Sequence, residues 1–393
     1  MIRTAAALTL GLWIGWADLS AARQAGAPSG EPSPAQLAAA IDKLGDLDFP
    51  TRMTAARTVR RAGAGAAVPA LLAAVAEHKV SYVRFRALVL LSGFNDPRTR
   101  DVMLTVLGDR DDRVRTVAYA YFEHNPDPSV LPRLLAAADK ETDEFVRPAL
   151  MRALAAHGSD ARVHETMSAL VMKGHDLFRS AVIAALGDHR GAYAATQITE
   201  VAKLEGPLQD DAVIALGKIG DKASLGVFAA LQRSATREAQ PAVAAAICML
   251  GVNCPTHMNF VVKTVEFATV NPGFRELLRA AAAALAALAV KGHEPALDVL
   301  IDRGVPARDP ARAALALALG TVALRNTPLM MKALERQADP GPAIELLREA
   351  FDMLEEDFEE ERFFVAVRRA YWQAPEGSGA RNVANALIQK LEF

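Results

Sequence analysis

An arginine returns along this chain at almost constant spacing: Arg52, Arg84, Arg115, Arg147 and Arg179 lie 32, 31, 32 and 32 residues apart. Each sits near the start of an apolar run, as in Tyr82-Val83-Arg84, Arg113-Val114-Arg115, Phe145-Val146-Arg147 and Leu177-Phe178-Arg179. A period of this length marks a supersecondary unit that cannot bury its apolar face alone and must stack on copies of itself. The chain is 51% hydrophobic but only 6% aromatic, so Ala, Leu and Val must fill the core, and these patterns favour helix.

Gly, Pro and Asp punctuate the text into pairs of helices. Second helices are predicted at 50–62, 81–93, 111–124, 143–157, 175–187, 207–219, 237–250, 274–291, 307–324 and 341–356, with first helices between them, as at 66–78, 98–108, 128–139, 160–173 and 191–204. Asp111-Asp112, Asp143-Glu144 and Asp176 fall at helix starts, where a carboxylate caps free amides and meets the positive end of the dipole. The expected architecture is an all-α superhelical solenoid of about ten two-helix repeats over 34–357, closed by a helical cap over 358–393. The acidic run Glu355-Glu356-Asp357 and Glu359-Glu360-Glu361 reads as a solvated helix face of that cap.

In elements such as Asp112-Arg113-Val114-Arg115 and Ala215-Leu216-Gly217-Lys218-Ile219-Gly220-Asp221 the text resembles HEAT-like repeats of the short, phycobiliprotein-lyase type, over residues 34 to about 356. The period is shorter than the standard HEAT unit, and neither the tetratricopeptide nor the ankyrin signature is present. The resemblance implies second helices lining a concave wall.

With each arginine at zero on a helical wheel, positions −1, +3, +4 and +7 hold the core, as in Val83, Ala87, Leu88 and Leu91. The arginine falls at the edge of that arc, facing the neighbouring repeat. The five arginines are therefore expected to form a structural ladder, since a partly buried guanidinium needs fixed acceptors. The ladder lapses at Asp210 and Gln240 and returns near Arg279 and Arg312. Outside the arc, the strip with Phe85, Arg86, Val89, Val117 and Arg152 is apolar with few charges. It reads either as a concave groove that anchors a partner or as a face hidden by tight curvature or an interior contact, because helices apolar all round are usually buried.

The N-terminus carries Arg3, an apolar run from Ala5 to Ala17 and then Ser20-Ala21-Ala22, the grammar of a cleaved signal peptide over 1–22. The run is too short to span a bilayer, so no membrane span is expected in the mature chain. A Gly, Pro and Ser-rich linker follows over 23–33. These features place the protein in the periplasm or outside the cell. Two cysteines, Cys248 and Cys254, flank Gly251 and are candidates for a small disulfide in such a compartment, or Cys248 is simply a small core residue.

Basic and acidic residues nearly cancel, 44 against 46, which gives no basic field of the kind that holds nucleic acid. His124, His157 and His189 recur near the ends of consecutive second helices, so an enzyme or metal-binding protein using that histidine edge is the alternative reading. Helices packed ~8–10 Å apart space three such residues too widely for one metal. Helical-repeat hydroxylases of the deoxyhypusine type use several His-Glu pairs in one site, and this chain has only His164-Glu165 and His293-Glu294, four repeats apart. No phosphate loop or nucleophile elbow occurs, and no cofactor is expected. Non-catalytic binding of a protein partner is the reading these observations favour.

Overall fold

The computed structural model describes residues 30–354 and 356–393. The expected signal peptide, most of the linker and Glu355 lie outside the described residues. Among the described residues all regular structure is helical. Ten helix pairs follow one another. Their first members are α1 (Pro34–Lys43), α3 (Ala64–Glu77), α5 (Arg98–Val106), α7 (Leu131–Ala138), α9 (Ala161–Leu170), α11 (Ala195–Ala202), α13 (Leu225–Ser234), α15 (Cys254–Val270), α17 (Glu294–Gly304) and α19 (Thr327–Arg336). The second members are α2 (Phe49–Arg61), α4 (Ser81–Ser92), α6 (Asp112–His124), α8 (Arg147–Ala155), α10 (Asp176–Asp188), α12 (Gln209–Ile219), α14 (Gln240–Met249), α16 (Arg275–Val290), α18 (Ala311–Arg325) and α20 (Gly341–Leu354). Two further helices, α21 (Asp357–Gln373) and α22 (Gly379–Lys390), complete the chain.

Local signals set many of the boundaries. Ser33 and Gln36 form a reciprocal capping box at α1, and the side chains of Asp48, Asp111 and Asp160 accept amides of the first turns of α2, α6 and α9. Gly220 ends α12 in the left-handed conformation, at φ 87°, which a side chain would resist.

Each second helix packs on the second helix of the next repeat, giving a continuous inner layer from α2 to α20. Small residues let these helices approach closely. A Cβ built on Gly187 would lie 2.8 Å from Ala215 Cα, and one on Gly217 2.8 Å from Ala246 Cα. On Gly320 it would meet the Ala350 methyl at 2.7 Å. Close approach along the inner layer goes with a curved stack, in which α21 reaches both α18 and α4.

That curvature brings the end of the chain back to its beginning. Helix α22 packs on α19 and α20 at the end of the stack, as a cap should. Helix α21 goes further: it contacts α18 and α19 on one side and α4 and α6 on the other. Phe358 belongs to the core of the first repeats, whereas Phe363 and Phe364 belong to that of the last. The solenoid is closed by its own C-terminal helix.

Candidate functional site

The inner strip is where the structure departs furthest from expectation. Phe85 is 5% exposed, Val89 0% and Val117 2%, so none can anchor a partner from solution. Arg86 pairs with Asp357, at the start of α21, and Arg152 Nε donates to Glu123 Oε2 at 3.0 Å. The strip is hidden because α21 lies against α4 and α6 and fills the space a groove would need. The expected open concave face is therefore corrected: the chain's own α21 occupies it.

The acidic run is corrected with it. Glu359 and Glu361 are 2% and 1% exposed rather than solvated. Arg60 Nε and Nη2 donate to Glu361 Oε2 at 2.8 and 2.6 Å, and Arg368 Nη2 donates to Oε1 at 3.1 Å. Glu359 bonds His124 Nε2 at 2.7 Å and Arg362 Nη1 at 2.5 Å, with Arg325 Nη1 at 3.4 Å. Burial alone would raise the Glu359 carboxyl, but the His124 bond and the Arg325 charge outweigh it and hold the group far below the usual range. Glu123 behaves likewise. Burial opposes its charge, yet a 3.3 Å bond from His189 and the charges of Arg152 and Arg325 bring it down to about 2.

Two of the three histidines of the expected edge thus converge on the interior, where they bind carboxylates. His157 is separate and satisfied, Nδ1 by the Ala153 carbonyl at 2.9 Å and Nε2 by that of Asp127 at 3.1 Å. Donor atoms of Glu123, His124 and Glu359 lie within 4.8 Å of one another, the spacing of a cation site. Arg152, Arg325 and Arg362 already neutralise that set, so an incoming metal would have to displace guanidinium groups. The arrangement is a closure network by its chemistry. The two His-Glu pairs are not brought together: His164 stacks on Tyr193 at 4.1 Å, while His293 contacts Cys254.

The arginine series lies along one rim and meets local acceptors. Arg52 donates to the Asp46 and Leu47 carbonyls, Arg84 to Asp109, and Arg179 to the Val171 carbonyl. Arg115 spans repeats, holding Glu141 at 2.9 and 3.2 Å and the Asp109 carbonyl at 3.0 Å. Arg147 stacks 3.7 Å from the Phe178 ring. Where the series lapses, glutamine takes over: the Gln240 amide donates to the Leu231 and Ala235 carbonyls and the Gln209 amide to that of Ala202. Arg312 resumes it with Glu349 at 2.7 and 2.8 Å. Cys248 and Cys254 are disulfide-bonded.

The same rim exposes large apolar side chains that the wheel did not single out. Phe145 is 86% exposed, and Leu47, Phe49, Leu177 and Leu204 are also exposed. All sit in the turns that lead into inner helices, or in their first turns, so they share one edge of the stack. The sequence signal was the residue two before the arginine, Phe145 in one repeat and Leu177 in the next.

Residues 35–123 match the family model for HEAT repeats. Among solved structures, the chain is similar to one in the structure of Kap95p bound to RanGDP, at 14% identity and a TM-score of 0.36, covering 92% of this chain and 55% of that one. It is also similar to a Kap121p mutant, at 13% identity and a TM-score of 0.30, covering 93% and 46%. The chain therefore spans about half the length of these relatives. No curated protein matches it. The matched segment takes in the first three helix pairs, and the stacked pairs that follow it make the chain an all-α solenoid.

Proposed function

We propose that the chain is a non-catalytic protein-interaction scaffold of the cell envelope, which binds its protein partner along the exposed apolar rim rather than in its filled interior. The observation that carries this reading is the placement of Phe145 and Leu177, bulky and open, at matching positions of adjacent repeats. Isolated exposed apolar residues are ordinary, but a row of them at the repeat spacing offers regularly spaced anchors for one continuous segment. The neighbouring Arg113, which stacks over Tyr82 at 5.3 Å, adds a residue type favoured in binding hot spots. An envelope location is supported by the N-terminal sequence and by the disulfide, which suits an oxidising compartment.

Photocrosslinkers placed at Phe145 and Leu177 in the full chain, expressed in the native envelope, test the reading. The expected result is one discrete adduct from both positions, lost in the Phe145→Asp, Leu177→Asp double variant with an unchanged melting temperature when the crosslinker is moved to Leu47. Absence of adducts, or adducts that survive the double variant, would reject the rim as the binding surface.

A further inference from the structure

The disulfide lies in surroundings that an inert staple does not need. Cys254 is the first residue of α15, a 17-residue helix, where free amides and the positive end of the dipole favour a thiolate. The ring of His293 reaches it from the next repeat, with Nε2 3.4 Å from Cys254 Sγ, and Nδ1 of the same ring is buried without a partner. Both sulfurs and a His293 nitrogen lie within 4.8 Å of one another. Cys248 is buried, whereas Cys254 is partly open to solvent.

A cavity of about 420 Å³ adjoins the pair, lined by Cys248, His293, Arg190, Lys218 and Lys291. Its cations outnumber their counter-charges. Lys218 Nζ donates to Asp188 at 2.7 Å and Lys291 Nζ only to the Lys218 carbonyl, at 2.6 Å. Arg190 is held in the left-handed backbone region at φ 56°, and its side chain has no hydrogen-bond or ion-pair partner among the described residues. Burial, and then repulsion from Arg190 and Lys218, lowers the Lys291 ammonium below its usual value. Cys248 lines this cavity and Cys254 does not, so the cluster favours an anionic Cys248 as it leaves, while an anionic Cys254 is served by the α15 amides and His293.

We propose that Cys248–Cys254 is an exchange-active disulfide, opened by a thiol or dithiol that attacks Cys254 Sγ. The incoming thiolate forms a bond to Cys254 Sγ as the bond between the two cysteines breaks. Cys248 leaves with the electron pair and takes a proton from solvent. A second thiol of the reductant then attacks its own sulfur in the mixed disulfide, releasing Cys254 as a thiolate held by the α15 amides and His293. Two electrons pass from the dithiol, which ends as a disulfide, to the protein. Cys254 is the attacked sulfur because it is the accessible one, and the buried Cys248 is the leaving one. The pair also sits where the core of the first repeats gives way to that of the last, so opening it releases the link between α14 and α15 at that junction.

The test uses the full chain with Cys248→Ala, which leaves Cys254 as the single thiol, and follows its iodoacetamide alkylation rate against pH. The expected midpoint lies at least one unit below the ordinary thiol value of about 8.5, and His293→Gln moves it back toward that value. A midpoint at or above about 8.5, or one indifferent to His293, overturns the proposal. Wild-type protein supplies an arm that needs no folded variant: with excess reduced glutathione and an acid quench, the glutathionyl adduct is expected on Cys254. An adduct on Cys248, or a disulfide that glutathione leaves intact, also overturns it.

Discussion

Arg60 and Glu361 stand 301 residues apart in the chain, yet the Arg60 guanidinium places two nitrogens on one oxygen of Glu361, and its Cζ lies 5.2 Å from the centre of the Phe364 ring. This contact joins the first repeat to the closing helix. Gly93, at the end of α4, allows the approach, since a Cβ there would fall 2.6 Å from Glu361 Oε1.

Breaking this pair from one side leaves the buried Glu361 carboxylate with Arg368 alone and Oε2 without its donors. Arg60→Ala should cost about 3–5 kcal/mol, whereas Arg60→Met with Glu361→Leu should recover much of the loss. Urea unfolding of the single and double variants measures both, and additive losses would show that the pair is not coupled.

Opposed carboxylates give the stability curve two different flanks. Glu123 and Glu359 have folded values below the ordinary 4.5, so their contribution is complete above that pH and is lost as pH falls through the folded values, about 2 for Glu123 and lower for Glu359. Glu360 runs the other way. Burial, reinforced by Glu356 and Asp352 against the pull of Arg86, raises it to about 7, so between 4.5 and 7 the folded chain keeps a proton that the unfolded chain has released. Stability should fall with rising pH across that window. Melting temperatures of wild type and Glu360→Gln across pH 4 to 9 test this, and the variant should lose that decline.

Arg115→Ala should cost about 1–3 kcal/mol, because it strands the half-buried Glu141 carboxylate and the Asp109 carbonyl that the guanidinium now satisfies. Arg110→Ala, at an exposed position, should shift the melt by less than about 0.5 kcal/mol. Equal effects from the two changes would remove Arg115 from the structural ladder.

Phe85→Asp combined with Val89→Asp should unfold the first repeats rather than merely abolish binding, since both side chains are enclosed between α4 and its neighbours. Loss of the cooperative melt, followed by circular dichroism, is the expected outcome. A well-folded double variant would mean that α21 does not occupy this face in solution.

The helical period, the pairing of helices and several helix starts were legible because each rests on local chemistry: Asp111 and Asp160 cap the helices they precede, and the Arg115 wheel separates core from edge. The occupant of the inner strip was not legible in that way. A wheel states which face of α4 is apolar but not which element, some 270 residues later, will cover it. Two signals pointed there all the same. Inner helices apolar all round demand burial, and Arg60, Arg86 and Arg325 face inward, where α21 carries carboxylates that match them. Read singly, the acidic run is a solvated face; read against those arginines, it is their complement.

Most repeat stacks are one-dimensional: each unit feels only its neighbours, and stability frays from the two ends. A stack in which α21, beyond the tenth repeat, packs against the second and third repeats has lost the freedom of both ends. Deleting the closing segment therefore removes more than a terminal cap, because it strands Arg60 and Arg86 at the far end of the chain. Such a closure is gained or lost as a whole, its early repeats waiting during synthesis for a helix made some 270 residues later.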